Sequence, residues 1–214
     1  MSGIVLQSAP YGEYDRRLIL LTKEAGKITA FARGARKPTS PLVAATTAFN
    51  MGTFLLYPGR TAYTLGSAEI SNYFSALKAD LDASCYGAYF MELAGYYGRE
   101  NLDAAQMLNL LYVSMKALEN PALPRRLVRC VYEIRLMVIN GEFPVEASED
   151  ASLGQSGSYA VKYAIAAPLG KLFTFNVTGE VLDRMRALTL GIRERTIDTK
   201  MKSLDILETM VVDA

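Results

Sequence analysis

The chain has 214 residues, half of them apolar, a formal net charge of +1 and no histidine, so it lacks both a Ser-His or Cys-His nucleophile and the commonest metal ligand. Its two cysteines, Cys85 and Cys130, are too few and too far apart for a disulfide framework or a CxxC metal pair, and both are expected to be reduced, buried thiols. The longest apolar runs, such as Leu136-Met137-Val138-Ile139, are too short to span a bilayer, and Met1-Ser2-Gly3 is not a charged lead-in to a signal peptide, which predicts a soluble cytoplasmic protein.

From Gly3 to Phe74 short segments rich in β-branched and aromatic residues alternate with Gly, Pro and polar clusters, which is a β pattern. Strands are predicted near residues 3–8, 15–22, 26–33, 51–57 and 61–70, joined by Ala9-Pro10-Tyr11-Gly12, Glu24-Ala25-Gly26 and Tyr57-Pro58-Gly59-Arg60, each with turn chemistry. Five strands in so short a stretch suit a small barrel, of which the OB-fold is one example, and a sandwich is the alternative. Residues 38–50 fall where a longer, irregular connection belongs.

The third strand carries the chemistry. Side chains alternate between faces, so Ile28, Ala30 and Ala32 share one face while Lys27, Thr29, Phe31 and Arg33 share the other. Gly34 frees the backbone for a turn, and Arg36 and Lys37 follow before Pro38 ends ladder pairing. Cations neutralise phosphates and an aromatic ring offers a base a stacking platform, so the stretch reads as a nucleic-acid surface. An ordinary half-solvated strand with wet cations fits the same residues. Charge is segregated in its favour: residues 1–76 hold eight Lys and Arg against four Asp and Glu, whereas residues 77–214 hold fifteen against eighteen. A basic N-terminal end suits a polyanion, and the remainder suits a protein-facing role.

Beyond Ser75 the apolar period lengthens. Tyr86, Tyr89, Phe90, Leu93, Ala94 and Tyr97 follow i, i+3, i+4, i+7, i+8, i+11, one stripe of a helix. A second helix is predicted over Met107 to Leu118. A third starts behind Pro121 and Pro124 and stops near Gly141, with Leu127, Val131, Ile134 and Val138 as its buried stripe. Arg125 and Arg129 then lie on the opposite face, flanked by Arg126 and Arg135, and no acidic residue between 121 and 132 offsets them. That face is either merely solvated or a docking site for an acidic peptide or nucleic-acid backbone.

Residues 145–158 have lost nearly all large apolar side chains and read as an exposed loop. After it, Tyr159, Val161, Tyr163 and Ile165 alternate, Pro168-Leu169-Gly170 turns, and Leu172, Phe173 and Phe175 return, which predicts a small inserted β lobe within residues 145–176. Helices near 178–190 and 193–211 close the chain, the latter with Leu204, Leu207 and Val211 facing inward. The expected fold is therefore α+β: a five-stranded barrel over residues 1–76, then a mostly α-helical domain over 77–214 with the β lobe inserted. Neither a paired-carboxylate motif nor a GxxxxGK[ST] or GxGxxG phosphate loop is present, so hydrolysis by buried carboxylates is the weakest reading.

In order and spacing, Gly12-Glu13-Tyr14-Asp15, Leu20-Leu21-Thr22, Gly26-Lys27 and Arg33-Gly34-Ala35-Arg36-Lys37 resemble the N-terminal signature of the RecO recombination mediators. Ser67-Ala68-Glu69 resembles that family's strand leading out of the barrel, Tyr132-Glu133-Ile134-Arg135-Leu136-Met137 with Asn140-Gly141-Glu142-Phe143-Pro144 its central helix, and Lys202-Ser203-Leu204 its last helix. The resemblance implies an N-terminal OB-fold, a C-terminal helical domain and no enzymatic turnover, cofactor or catalytic residue. It implies binding of single- and double-stranded DNA, strand annealing, and work with RecR to load RecA onto strands coated by single-stranded DNA-binding protein, whose acidic C-terminal tail the family recognises. A cytoplasmic, nucleoid-associated protein without a membrane follows. On this chain the DNA surface is expected at Lys27, Arg33, Arg36 and Lys37, extended by Arg16, Arg17, Lys23 and Phe31, and the tail site at Arg125, Arg126, Arg129 and Arg135. Many relatives hold zinc on two Cys pairs after the Gly-Glu-Phe-Pro position, whereas residues 145–175 here contain neither Cys nor His, so a metal-free lobe is expected. The competing reading is a protein–protein adaptor whose barrel binds no nucleic acid.

Overall fold

The computed structural model describes residues 1–210. Two compact units form: residues 1–75 with 91–108, and residues 76–90 with the described residues from 109 on.

The first unit is a closed barrel. β1 (Ser2–Tyr11), β2 (Asp15–Thr22) and β3 (Gly26–Ala32) meander, α1 (Leu42–Ala45) follows, and β4 (Met51–Pro58) and β5 (Tyr63–Asn72) complete it in the order β1-β2-β3-β5-β4. Every neighbour is antiparallel except β3 and β5, and β1 closes on β4, which is the five-stranded OB arrangement. The alternation expected of β3 holds, with Ile28, Ala30 and Ala32 buried and Lys27, Thr29 and Phe31 half-buried on the other face. Two alanines leave room for Phe54, fully buried among Val5, Leu18, Leu20 and Leu65. Burying such a ring contributes roughly 1.5–3 kcal/mol.

Residues 91–108 belong to this unit although their composition is helical. Backbone bonds run from Lys27 N–H to Arg99 O (3.2 Å), Asn101 N–H to Ala25 O (3.0 Å) and Ala104 N–H to Lys23 O (3.0 Å), clasping the β2–β3 turn.

Helices α2 (Ser75–Ala79), α3 (Leu81–Tyr97), α4 (Ala105–Leu118), α5 (Arg125–Ile139), α6 (Gly154–Ala166), α7 (Gly179–Thr196) and α8 (Lys202–Met210) make up the rest. Within the second unit α5 packs against α6 and α7. Phe90 stacks on Tyr132 at 4.1 Å, and the Tyr132 hydroxyl donates to Phe90 O at 2.8 Å. The expected buried thiols are realised at Cys130, whose Sγ lies 3.5 Å from Thr189 Oγ1 and whose pKa burial pushes up to about 12, while Cys85 is only half-buried.

Three expectations for this half are corrected. The inserted β lobe is absent: residues 145–153 form two short 3-10 turns and 159–165 lie in α6. Gly157, Ala160, Val161 and Ala164 are its buried residues, an i, i+3, i+4, i+7 stripe of small side chains that the alternation of Tyr159, Val161, Tyr163 and Ile165 overshadows. Leu172 and Phe175 do return, but as irregular chain, with Phe175 against the Tyr163 ring at 5.0 Å. The last two helices divide after Thr196 rather than near residue 191, because one glycine weakens a helix by about 1 kcal/mol without ending it. Leu204 and Leu207 are buried as expected, and Val211 lies outside the described residues.

Candidate nucleic-acid interface

At one end of the barrel the β1–β2 and β3–β4 connections meet. Gly34 takes a φ of 65°, its N–H donates to Asp15 Oδ1 at 2.7 Å, and the Asp15 carboxylate thereby pins the turn. Arg36 ties the two loops together: its N–H donates to Tyr14 O at 2.8 Å and its Nη1 to Gly12 O and Glu13 O at 3.2 and 3.1 Å. Lys37 Nζ sits 5.4 Å above the Tyr14 ring, and Arg33, Arg36 and Lys37 are all exposed. A cationic rim at a strand end is thus built and held rigid.

Cross-strand register brings Arg17 and Phe31 opposite each other on the outer face, and Tyr11 packs on Phe31 with ring centroids 4.7 Å apart. Arg16 has the other parity, shared with Leu18 and Leu20, so it lies at the barrel mouth, where its Nη1 donates to Ser8 Oγ at 3.0 Å. Arg33, Arg36, Lys37, Arg17, Arg16 and Phe31 therefore share one end.

Lys27 and Lys23 do not join them. Six residues of strand separate Lys27 from Arg33, roughly 20 Å. Lys27 Nζ donates to Gly95 O at 2.6 Å, satisfying a carbonyl in the last turn of α3, and burial with the Arg99 charge holds its pKa below the usual lysine range. Its position is that of a helix-capping cation. The strand alternation put Lys27 on the right face but could not reveal what covers that end.

Tyr11, Tyr14, Tyr57 and Arg60 escaped the reading from sequence, and all are exposed. The signal was available: each lies in or beside a turn joining β1 to β2 or β4 to β5, the loops that flank an OB-fold's binding face.

On α5 the expectation of an uncompensated arginine face is corrected. Arg125 pairs with Asp80 and lies 3.7 Å from Asp82, Arg126 lies 3.4 Å from Asp183, and Arg129 engages Glu133 at 3.1 Å and Glu208 at 3.2 Å. Glu133 stands one helical turn from Arg129, just past residue 132, whereas Asp80, Asp183 and Glu208 stand 45, 57 and 79 residues from their partners, beyond any local charge count. Arg129 is also nearly buried, with 13% of its side chain exposed, and stacks over Tyr89 at 5.2 Å. Arg135 turns toward α6, with Nη1 3.5 Å from Ala164 O, and so leaves the cluster. What remains is a cavity of about 680 Å³ with Tyr86, Leu123, Pro124 and Leu207 as apolar walls and Arg125, Arg126 and Arg129 on its rim. Arg186 of α7 converges on it, a contributor that no spacing in the sequence indicated. Among the described residues no group of His, Cys, Asp and Glu could hold a metal ion, and no helix is long and apolar enough to cross a membrane.

Residues 1–74 match the family described as Recombination protein O N terminal. Over 241 residues the chain is 27% identical to the DNA repair protein RecO of Acetivibrio thermocellus, covering 98% of this chain and 96% of that protein. It is 31% identical to the protein of the same name from Alkaliphilus metalliredigens, over 76% of this chain and 65% of the relative. For that of Heliobacterium modesticaldum the identity is 33%, over 73% and 58%.

Proposed function

We propose, given that this chain belongs to the RecO family, that it is a non-catalytic, DNA-binding recombination mediator of the cytoplasm and nucleoid. In this reading residues 1–76 bind single- and double-stranded DNA and promote annealing, and residues 77–214 meet protein partners. With RecR the protein helps load RecA onto strands coated by single-stranded DNA-binding protein. The observation that carries the reading is the rigid cationic end of the barrel, where Arg17, Arg33, Arg36 and Lys37 gather around exposed aromatic rings. Cations fixed on a pinned turn meet phosphates without first being ordered, which lowers the entropic cost of binding.

Anisotropy titration of a labelled oligonucleotide at several salt concentrations tests it. Arg33 and Lys37 are the residues to remove together, because Arg36 also ties the loops and its loss would confound the result. Each phosphate contact on a single strand contributes about −0.7 to the slope of log affinity against log salt, so Arg33→Ala/Lys37→Ala flattens the slope by about 1.4. An unchanged slope returns these residues to the role of solubilising the loop and favours the adaptor reading.

The cavity beside α5 is our candidate for the acidic tail of single-stranded DNA-binding protein, with guanidinium groups for the carboxylates and Tyr86, Leu123 and Leu207 for terminal apolar side chains. Because Arg129 is committed to Glu133, Arg126 and Arg186 are the better test. Two partly exposed pairs are worth about 0.4–2 kcal/mol together, so calorimetry with a tail peptide should show binding weakened roughly 2- to 30-fold in Arg126→Ala/Arg186→Ala. Equal peptide binding with reduced DNA binding would move this face to the DNA path.

A further inference from the structure

We propose that the outer row of the barrel running from Arg17 through Phe31 and Thr64 to Tyr57, with Tyr11 against Phe31, is a base-stacking track that takes unpaired nucleotides and refuses duplex. The inference rests on the DNA reading above and adds to it a division of labour. The loop cations would hold any phosphate backbone, and the aromatic row would supply the preference for single strands.

Register places the row. Phe31 pairs with Arg17 on one side and with Thr64 on the other, and Thr64 pairs with Tyr57, so these four side chains share the outer face on adjacent strands. Neighbouring strands lie about 4.8 Å apart, which puts Phe31 and Tyr57 roughly 10 Å from each other across the sheet. Half of each tyrosine is open to solvent, 53% of Tyr11 and 55% of Tyr57.

Gly66 explains how Tyr57 is presented. It follows Thr64 by two residues on β5, and a Cβ there would meet Tyr57 Cε2 at 2.6 Å. The ring therefore sets its Cε2 edge against bare backbone, in space that any side chain at residue 66 would fill. At the far end, Phe31 and Tyr11 meet at an interplanar angle of 51° and form a continuous aromatic surface. None of these five residues is a carboxylate, and Asp15, which pairs with Tyr11, is engaged by the Gly34 N–H at 2.7 Å. Arg17 belongs to it, and Arg33 and Arg60 border it in sequence just past Phe31 and Tyr57, so the patch suits an anion with flat apolar faces better than an acidic or neutral protein surface.

A base within a duplex has both faces occupied, and exposing one costs a few kcal/mol. A single strand offers its bases without that cost. Stacking on an aromatic side chain contributes about 1–3 kcal/mol per base, which is a factor of roughly 5 to 150 in affinity.

The experiment compares wild type, Tyr11→Ala, Tyr57→Ala and Tyr57→Phe by anisotropy with labelled oligo-dT and with a blunt duplex, each at several salt concentrations. Each alanine variant should bind oligo-dT about 5- to 150-fold more weakly, with an unchanged salt slope and duplex affinity within about twofold, while Tyr57→Phe matches wild type. Equal weakening on both nucleic acids, or none on either, overturns the track while leaving the cationic rim standing. Failure of Tyr57→Phe to restore binding also overturns it, because the ring would then not be the active element. Absence of salt-dependent binding by wild type to either nucleic acid defeats the DNA reading itself.

Discussion

Replacing Glu133 with Ala is expected to lower the stability of the helical unit by about 3–5 kcal/mol and its melting temperature by roughly 6–20 °C. Glu133 Oε1 accepts the Tyr89 hydroxyl at 2.6 Å, Arg129 Nε at 3.1 Å and Arg193 Nη1 at 3.3 Å, and Arg193 Nη1 also donates to the Tyr89 hydroxyl at 3.2 Å. One carboxylate thus joins α3, α5 and α7 in a site where Arg129 and Arg193 keep only 13% and 11% of their side chains exposed. Burial first, then the Glu133 charge, push the Tyr89 hydroxyl well above its usual pKa, so it remains a donor. Without the carboxylate two cations stay buried with too little to offset their desolvation. That loss of one partner is costlier than removing the whole cluster for apolar residues would be. The comparison is Lys162→Ala, which breaks the exposed pair with Glu149 at 3.2 Å and should cost at most about 1 kcal/mol. Chemical denaturation of the variants reads both. A Glu133→Ala midpoint indistinguishable from that of Lys162→Ala would show that the network contributes no more than a surface pair.

Gly26→Ala should destabilise the barrel unit by about 2–5 kcal/mol, from a left-handed backbone and a steric clash together. Gly26 has a φ of 65°, and an added Cβ would overlap the Arg99 carbonyl oxygen and sit 2.7 Å from that of Leu102. Both obstacles are backbone and cannot swing aside, so the clasp of residues 99–104 over the β2–β3 turn must open. Gly12→Ala isolates the conformational part, since Gly12 has a φ of 57° and nothing within 4 Å of the added carbon. Its cost should stay near 1–2 kcal/mol. Hydrogen exchange on Gly26→Ala should show the Asn101 and Ala104 amides losing protection first. Equal destabilisation of the two variants would mean that the clasp yields freely and contributes little.

Local pattern carried much of this protein, and it did so wherever a residue's environment depends on its near neighbours. The two-residue period of β3 follows from backbone geometry, so Ile28, Ala30 and Ala32 could be assigned to the core and Phe31 to the outer face before any partner strand was known. Gly34, Arg36 and Lys37 announced a turn with a cationic rim for the same reason. In α6 that logic misled, because large residues at every second position outweighed the small ones at helical spacing, and only packing against neighbours shows which set is buried.

Long-range pairing decided the rest. Arg125, Arg126 and Arg129 looked unopposed along the chain, yet Asp80, Asp183, Glu133 and Glu208 reach them, three of the four from other segments brought close by folding. Lys27 shares a strand face with Phe31, yet its ammonium is turned to the Gly95 carbonyl in the last turn of α3. The order of side chains along each strand, and hence which face each takes, is written in the sequence by covalent geometry. Which charges are neutralised, and which aromatic rings line up across strands as Phe31 and Tyr57 do, depends on register and on contacts between distant segments, and those are set only when the core closes.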